Sequence, residues 1–262
     1  MISSMIRQGG LSLVFACFLQ ATPSMALDTT WVSSTNGDDN NNCNPSTPCR
    51  FLPRAYDQTN PRGRIGVVDT GQFLGAGLVI TKSISIIAKG VQAQLTGAGG
   101  NKIVINAGPN GTVLLDGLNV TGVRSTFDNN GILFNSGGRL HIRNCLISGF
   151  RSAAINIDAL APSEIVISDC TIADNRRGIL VRKAGGSGQV RVLLDNVTVS
   201  GNDLVGVRSA GAATHVRINR STIANNGTGL VSASNGRLIS LGNNVIRANG
   251  TNGTPTHTES LQ

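Results

Sequence analysis

The sequence has few aromatic residues and few charges. Phe, Trp and Tyr together make up 3% of its 262 residues, with one Trp and one Tyr, and Asp, Glu, Lys and Arg make up 14%. So low an aromatic content excludes a broad aromatic core. Proteins that bind single-stranded nucleic acid stack its bases on aromatic side chains, and this chain has too few of them. We therefore expect no nucleic-acid partner.

Long hydrophobic runs are missing after residue 26, where no span of about 18 apolar residues occurs, so we expect no membrane-spanning helix. Residues 1–26 combine one basic residue, Arg7, with an apolar run over Leu11–Leu19 and small residues up to Ala26. This order is typical of a secretory signal, with cleavage near Ala26 and export to the periplasm or the extracellular space. A lipoprotein signal at Cys17 is the less favoured alternative.

Four cysteines remain after the signal, in two pairs. Cys43 and Cys49 flank NPSTP, whose prolines stiffen a short loop. In an exported protein this favours a disulfide, which would contribute about 2 to 3 kcal/mol. Cys145 and Cys170 hold the same position in consecutive repeats and are predicted to stack in the core, with a disulfide between them as the alternative. No histidine accompanies them at ligand spacing, so we expect no metal site.

Thirty-three glycines separate short apolar segments, and a ten-residue pattern recurs every 23 to 27 residues. No segment with helical periodicity lies between the copies. We therefore predict short strands wound into about seven to nine coils, each stacked parallel on the previous one. The copies are VLLDGLNVTG (113–122), LHIRNCLISG (140–149), IVISDCTIAD (165–174), VLLDNVTVSG (192–201), VRINRSTIAN (216–225) and ISLGNNVIRA (239–248).

A second strand follows each copy of the repeat and places one apolar side chain per coil in the core. These inward positions are Ile132, Ile155, Ile179, Val207 and Leu230. The next inward positions along these strands are Phe134, Ile157, Val181, Ser209 and Ser232. Because they change from apolar residues to serine, we expect the core to narrow toward the C-terminus. The bend before each second strand carries a column of asparagines, Asn175, Asn202, Asn226 and Asn249. We predict that they adopt the left-handed conformation of a sharp corner and bond from coil to coil.

The N-terminal part of the mature chain is predicted to cap one end of the coil stack. Leu52, Ala55 and Tyr56 at helical spacing, with Pro61 following, indicate a short helix. The predicted organisation is a signal at 1–26, a cap at 27–64 with the helix and the Cys43–Cys49 loop, coils at 65–253, and a polar tail at 254–262.

The pattern I-x-N/D-C-x-I-x-x-N followed by G-I-x-V resembles the right-handed parallel β-helix of the pectin-lyase-like superfamily. The segments WVSSTNGDDNNNC, PCRFLPRAY, RIGVVDTGQF and ITKSISIIA are similar to the entrance of exported bacterial β-helix repeat proteins. The resemblance implies an all-β fold, a single right-handed parallel β-helix with an N-terminal cap. It does not imply one activity, because this scaffold hosts lyases, hydrolases, epimerases, adhesins and proteins without chemistry.

By the same resemblance, polysaccharide would bind along the sheet built from the second strands. The charged outward positions there are Asp158, Arg182 and Arg208, with Lys183 nearby, and these are our carbohydrate-binding candidates. A calcium-assisted lyase needs several convergent carboxylates and a glycosidase needs a pair, whereas one aspartate stands here among aliphatic residues. We therefore expect no cofactor, with calcium only under a lyase alternative. No catalytic residue is assigned.

The formal net charge of +8 suits either solubility alone or affinity for acidic polymers. We expect a secreted, non-catalytic β-helix protein that contacts acidic cell-envelope or extracellular polysaccharide. One alternative is a polysaccharide lyase or other carbohydrate-active enzyme that uses Asp158 with Arg182 or Arg208. The other is a structural or adhesive surface protein without a ligand. The oligomeric state stays open.

Overall fold

Short strands follow one another along almost the whole chain in the computed structural model, which describes residues 26–75, 77–97, 99–124 and 129–259. The predicted secretory signal lies outside the described residues except for Ala26. One helix occurs in these ranges, and neither it nor any other described segment forms a helix long and apolar enough to span a membrane. The elements are β1 Leu27–Val32, α1 Leu52–Gln58, β2 Thr59–Val67, β3 Gly71–Gln72, β4 Leu78–Ile80, β5 Ile84–Ile87, β6 Ala93–Leu95, β7 Ile103–Asn106, β8 Thr112–Asp116, β9 Leu118–Thr121, β10 Asn130–Ser136, β11 Arg139–Arg143, β12 Leu146–Ser148, β13 Ala153–Ala159, β14 Ser163–Ser168, β15 Thr171–Ala173, β16 Arg177–Lys183, β17 Val190–Asp195, β18 Thr198–Ser200, β19 Val205–Ala210, β20 Thr214–Asn219, β21 Thr222–Ala224, β22 Thr228–Ala233, β23 Arg237–Ser240, β24 Val245–Arg247 and β25 His257–Thr258.

The strands form three parallel sheets, and from β2 to β22 each coil gives one strand to each of them in turn. Sheet A has the order β1-β2-β5-β8-β11-β14-β17-β20-β23-β25, sheet B has β3-β6-β9-β12-β15-β18-β21-β24, and sheet C has β4-β7-β10-β13-β16-β19-β22. This makes seven complete coils. The prediction of short strands stacked in parallel coils is confirmed, and the number of coils is at the low end of the predicted range.

Each ten-residue repeat forms two strands, although the sequence pattern suggested one. LHIRNCLISG is divided between β11 in sheet A and β12 in sheet B. The chain bends at Asn144, whose φ of 54° lies in the left-handed region, and it bends in the same way at Asp169, Asn196 and Arg220. Polar residues at this repeat position tolerate such a backbone, so a sheet corner falls in the middle of the repeat.

The core consists of columns of like side chains, one per coil, that are at most 3% exposed. Sheet A supplies Leu140, Ile165, Val192, Val216 and Leu238; sheet B supplies Ile147, Ile172, Val199 and Ile223; and sheet C supplies Ile155, Ile179, Val207 and Leu230. Each such burial contributes roughly 1.5 to 3 kcal/mol. The predicted thinning is also present, because Ser209 is buried against Thr214 with 2.7 Å between their hydroxyl oxygens, and Ser232 is exposed.

At the N-terminal end, α1 buries Leu52, Ala55 and Tyr56. A disulfide joins Cys43 and Cys49, whose Cα atoms lie 4.6 Å apart. The helix ends at Gln58, before Pro61, so the proline lies in β2 and does not terminate the helix.

The strands of sheet A extend past both ends of the predicted range 65–253. β1 pairs with β2 ahead of this range, and β25 pairs with β23 inside the segment predicted as a polar tail. Backbone pairing at β25 continues sheet A although the tail has few apolar residues.

Candidate functional site

Two of the four predicted binding residues form an ion pair on sheet C. Asp158 on β13 and Arg182 on β16 are in register, and the guanidinium donates to both carboxylate oxygens, with Nε 3.0 Å from Oδ1. The pKa of Arg182 is raised by the hydrogen bond that its guanidinium donates to Asp158 and by the negative charge of that carboxylate. The Asp158 carboxylate therefore already has two strong donors.

The other two predicted residues lie elsewhere on or beside this sheet. The ammonium of Lys183 turns into its own loop, where it donates to the carbonyl of Gly185 and, at 2.8 Å, to that of Gly186. Arg208 is in register with Leu180, in the neighbouring outward column. The sequence-predicted residues thus do not form one groove, and Arg208 is separated from the Asp158–Arg182 pair.

The predicted asparagine column lies at the corner between sheets B and C and forms a continuous ladder. The Nδ2 of Asn175 donates to Oδ1 of Asn202 at 3.0 Å, Asn202 donates to Asn226 at 2.8 Å, and Asn226 donates to Asn249 at 2.9 Å. The left-handed residue is the one before each asparagine, namely Asp174, Gly201, Asn225 and Ala248. The prediction of a left-handed backbone for the asparagines themselves is therefore wrong, and their contribution is the amide ladder.

A row of mostly basic side chains crosses the outer face of sheet A. Its members are in register on five consecutive strands, Arg139, Glu164, Arg191, His215 and Arg237, and we call them the basic row. Neighbouring strands lie about 4.8 Å apart, so the row follows the helix axis with one side chain per coil. Sequence reasoning missed it, although four of the five residues stand immediately before a copy of the repeat and Arg237 stands two residues before one.

The row keeps an excess of positive charge despite its acidic member. Glu164 lies 3.6 Å from the Arg139 guanidinium and 4.0 Å from that of Arg191, and all three side chains are more than half exposed, so these ion pairs are weak. Arg217, two residues after His215 on β20, pairs with Glu259 at 3.2 Å. Four arginines thus stand against two glutamates on this part of sheet A.

His215 occupies the most cationic part of the row. Its pKa is lowered from the ordinary value by partial burial, and further by the positive charges of Arg237, Arg217 and Arg191, while Glu259 opposes the shift. The imidazole is therefore mainly neutral near pH 7. An anion bound between these arginines would reverse the electrostatic part of the shift.

A cleft of about 360 Å³ adjoins the N-terminal half of the row. Its polar lining includes Asn110, Arg139, Glu164, Gln189 and Arg191. Guanidinium, carboxamide and carboxylate groups can form hydrogen bonds with sugar hydroxyls, and the guanidinium groups can also pair with acidic substituents of a sugar. Among the described residues, no three His, Cys, Asp or Glu side chains lie close enough to share a metal ion.

Comparisons with known proteins give one structure and one family. No curated protein matches the sequence. The crystal structure of the pectate lyase Pel9A is similar in fold, with a TM-score of 0.56 and 14% identity over 88% of this chain and 76% of that chain. The family model described as right-handed β-helix region matches residues 103–260. Because this match spans more than half of the sequence, the chain belongs to the right-handed β-helix family.

Proposed function

We propose that the protein binds acidic polysaccharide of the cell envelope or extracellular space along the basic row of sheet A, without catalysis. The observation that carries the proposal is the register of Arg139, Arg191, His215 and Arg237, which places three arginines and a histidine along one line on four of five consecutive coils. A single small anion would need one such position. A row of them suits a ligand that is itself a repeating polyanion.

The spacing of the row favours a sugar polymer in particular. Coils repeat about every 4.8 Å, which is comparable with the length of one sugar unit in a polysaccharide. A chain of uronate units lying along the helix axis would therefore bring its carboxylates past one side chain of the row after another. Arg191 and Arg237 could each bind a carboxylate through two parallel N–H donors.

The proposed face differs from the one that the sequence suggested. On sheet C, Asp158 neutralises Arg182, and Lys183 is turned into its own loop. On sheet A, the side chains next to His215 are positively charged on both neighbouring strands. Secretion stays part of the proposal, since it would bring the protein to the compartment where acidic polysaccharides occur.

Binding to polygalacturonate at two salt concentrations tests the proposal. Arg191→Ala with Arg237→Ala removes two exposed cations, each contributing about 1 kcal/mol, so the dissociation constant should rise at least tenfold. Higher salt should weaken wild-type binding. Arg182→Ala with Lys183→Ala removes the same charge from sheet C and should leave the affinity within about twofold, given that these groups lie outside the row.

Two outcomes would contradict the proposal. Loss of affinity in the sheet C variant alone would move the site to the face predicted from sequence. No binding of polygalacturonate by the wild-type protein at either salt concentration would remove the function and favour a structural or adhesive role.

The similarity to a pectate lyase favours a second candidate function, polysaccharide lyase. A lyase that used Asp158 would first have to release the carboxylate from Arg182. Such an enzyme forms unsaturated uronides, which absorb ultraviolet light. Polygalacturonate incubated with the protein, with and without calcium, should show no such absorbance under our proposal, and a steady increase would establish the lyase instead.

A further inference from the structure

A second cationic site lies at the corner between sheets B and C, where the chain turns after each sheet B strand. A cleft of about 510 Å³ opens there, and we call it the corner cleft. It is lined by Arg124, Phe150, Arg151, Arg176, Asp203 and Leu204. These residues follow β9, β12, β15 and β18, so four consecutive coils contribute one turn each. Sheet A, with the basic row, is the third side of the coil and does not border this corner.

The arginines around the corner cleft outnumber the acids that could neutralise them. Arg151, Arg176 and Arg208 are exposed, and none of them has an ion-pair partner among the described residues. Arg177 stands beside them, and its pKa is lowered by partial burial and by the charges of Arg176 and Arg208. These guanidinium groups therefore repel one another, and an external anion would relieve the repulsion.

Arg124 contacts both aspartates of this corner, one through its carboxylate and the other through its backbone. Its guanidinium lies 3.4 Å from the Asp203 carboxylate and donates to the backbone carbonyl of Asp174 at 2.9 Å. Arg124 is thus held in place, and Asp203 offsets part of its charge. The five arginines at this corner still outnumber its two aspartates, so an excess of positive charge faces the open cleft.

The base of the corner cleft is ordered before any ligand arrives. The amide of Arg176 donates to the carbonyl of Phe150 at 2.8 Å, and that of Leu204 donates to the carbonyl of Arg176 at 2.9 Å. The asparagine ladder runs directly beneath these turns, because Asn175 precedes Arg176 and Asn202 precedes Asp203. Because the backbone of these turns is ordered in advance, little binding free energy is lost in ordering the loops.

The lining indicates an acidic sugar. Leu204 is 40% exposed and gives an apolar surface against which the C–H face of a pyranose ring can pack. Arg151 and Arg176 line the same cleft and can bind the carboxylate of that sugar. The volume is that of a small-ligand site and suits a short stretch of sugar, in contrast to the extended row on sheet A. We propose that the corner cleft is a second acidic-sugar site, so that a protein holding one polysaccharide chain on the basic row joins it to a second chain here. The joining of two chains rests on the proposed function of the row, whereas the corner site does not.

Two double variants, titrated with the same probe, separate the sites. In calorimetric titration with trigalacturonate, the wild-type protein should bind two molecules per chain. Arg151→Ala with Arg176→Ala should weaken the corner site at least tenfold and leave the row site unchanged, while Arg191→Ala with Arg237→Ala should do the reverse. Both pairs remove two positive charges, so a difference between them reports position and not net charge.

A bridging assay tests the joining of two chains. Immobilised polygalacturonate captures the protein, and fluorescent polygalacturonate is then added. Wild-type protein should retain the fluorescent polymer, and each double variant should still be captured but lose most of this recruitment. Arg151→Lys with Arg176→Lys keeps the charge and should restore part of it, which separates a binding defect from a folding defect.

The outcomes distinguish this inference from the function proposed for the row. One trigalacturonate per chain, unaffected by Arg151→Ala with Arg176→Ala, would reject the corner site and leave the row intact. Loss of binding in the corner variant with no effect of the row variant would support the corner and reject the row. Full recruitment of fluorescent polymer by the corner variant would overturn the joining of two chains.

Discussion

The guanidinium of Arg182 donates hydrogen bonds to both carboxylate oxygens of Asp158, its register partner on the neighbouring strand of sheet C. The Arg182 side chain is 63% exposed and that of Asp158 is 24% exposed. The pair therefore forms at the surface in contact with water. Outward side chains of a parallel coil have their nearest neighbours one coil away, and here two opposite charges neutralise each other at that distance.

The first prediction is that this pair contributes little to stability. Exposed ion pairs are worth about 0.2 to 1 kcal/mol, so Asp158→Ala and Arg182→Ala should each lower the free energy of unfolding by no more than about 1 kcal/mol. Urea unfolding of both single variants and of the double variant gives the coupling energy, which should fall further in high salt. A coupling above about 2 kcal/mol would mean that the pair is far better shielded from water than its exposure indicates.

The asparagine ladder should matter more, because its middle members are buried. Asn202 accepts from the amide of Asn175 and donates to Asn226 at 2.8 Å, and the residue is 1% exposed. Asn202→Ala removes these bonds and leaves buried groups without partners, each costing about 1 to 3 kcal/mol. We expect a loss of roughly 2 to 4 kcal/mol in the free energy of unfolding, measured by urea denaturation.

Asn249 gives the matched control for this second prediction. It belongs to the same ladder and donates to the carbonyl of Ile223 at 3.0 Å, but it is only half-buried. Water can replace the bonds that Asn249→Ala removes, so this loss should stay below about 1 kcal/mol. Equal losses in Asn202→Ala and Asn249→Ala would show that burial does not determine the strength of the ladder.

The coil architecture could be predicted from sequence because it depends on local periodicity. A repeat of 23 to 27 residues, alternation within each strand and the absence of helical segments are all visible in the printed chain. The aligned isoleucines and valines, such as Ile147 and Ile172, then had to stack, and they do. The corner at Asn144 was not foreseen, because a polar residue within an apolar segment reads equally well as an outward strand position.

The candidate site was harder to predict because outward side chains follow no hydrophobic pattern. Arg191, His215 and Arg237 follow one another at intervals of 22 to 24 residues. They stand one or two residues before a copy of the repeat, where the apolar alignment no longer constrains the register. Asp158 and Arg182 attracted attention as charges among aliphatic residues, yet whether two such groups pair or remain open depends on their conformations. Register can be predicted from spacing, whereas pairing is decided by side-chain conformations that the spacing does not specify.

The third prediction concerns Cys145 and Cys170, which are free and buried in consecutive coils. A hydrogen bond to Cys145 and burial raise the pKa of the Cys170 thiol, so almost no Cys170 thiolate exists near pH 7. Both residues should resist iodoacetamide in the folded protein and react completely in urea without reductant, as peptide mass spectrometry would show. Cys43 and Cys49, joined by a disulfide, are the internal control and should remain unmodified. Blocked thiols at 145 and 170 in urea would indicate a disulfide between them.

The fourth prediction is a pH dependence of binding that depends on His215. Partial burial and the charges of Arg237, Arg217 and Arg191 lower its pKa, with Glu259 opposing, so the folded protein binds fewer protons at this position than the unfolded chain. In the absence of ligand, His215 therefore makes the free energy of unfolding rise with pH, in a window just below the ordinary value of about 6.5.

Polyanion binding should act on the same group in the opposite sense. Carboxylates on the row would offset the arginine charges and raise the pKa of His215, so binding takes up a proton, and polygalacturonate affinity should increase as the pH falls from about 7 to about 5. His215→Gln should flatten this slope, while His141→Gln, on the same face in the adjacent column, should keep it. Titrations at constant ionic strength measure both. An unchanged slope in His215→Gln would place the polymer away from His215, because among the described histidines only His215 is in register with arginines of the row on both neighbouring strands.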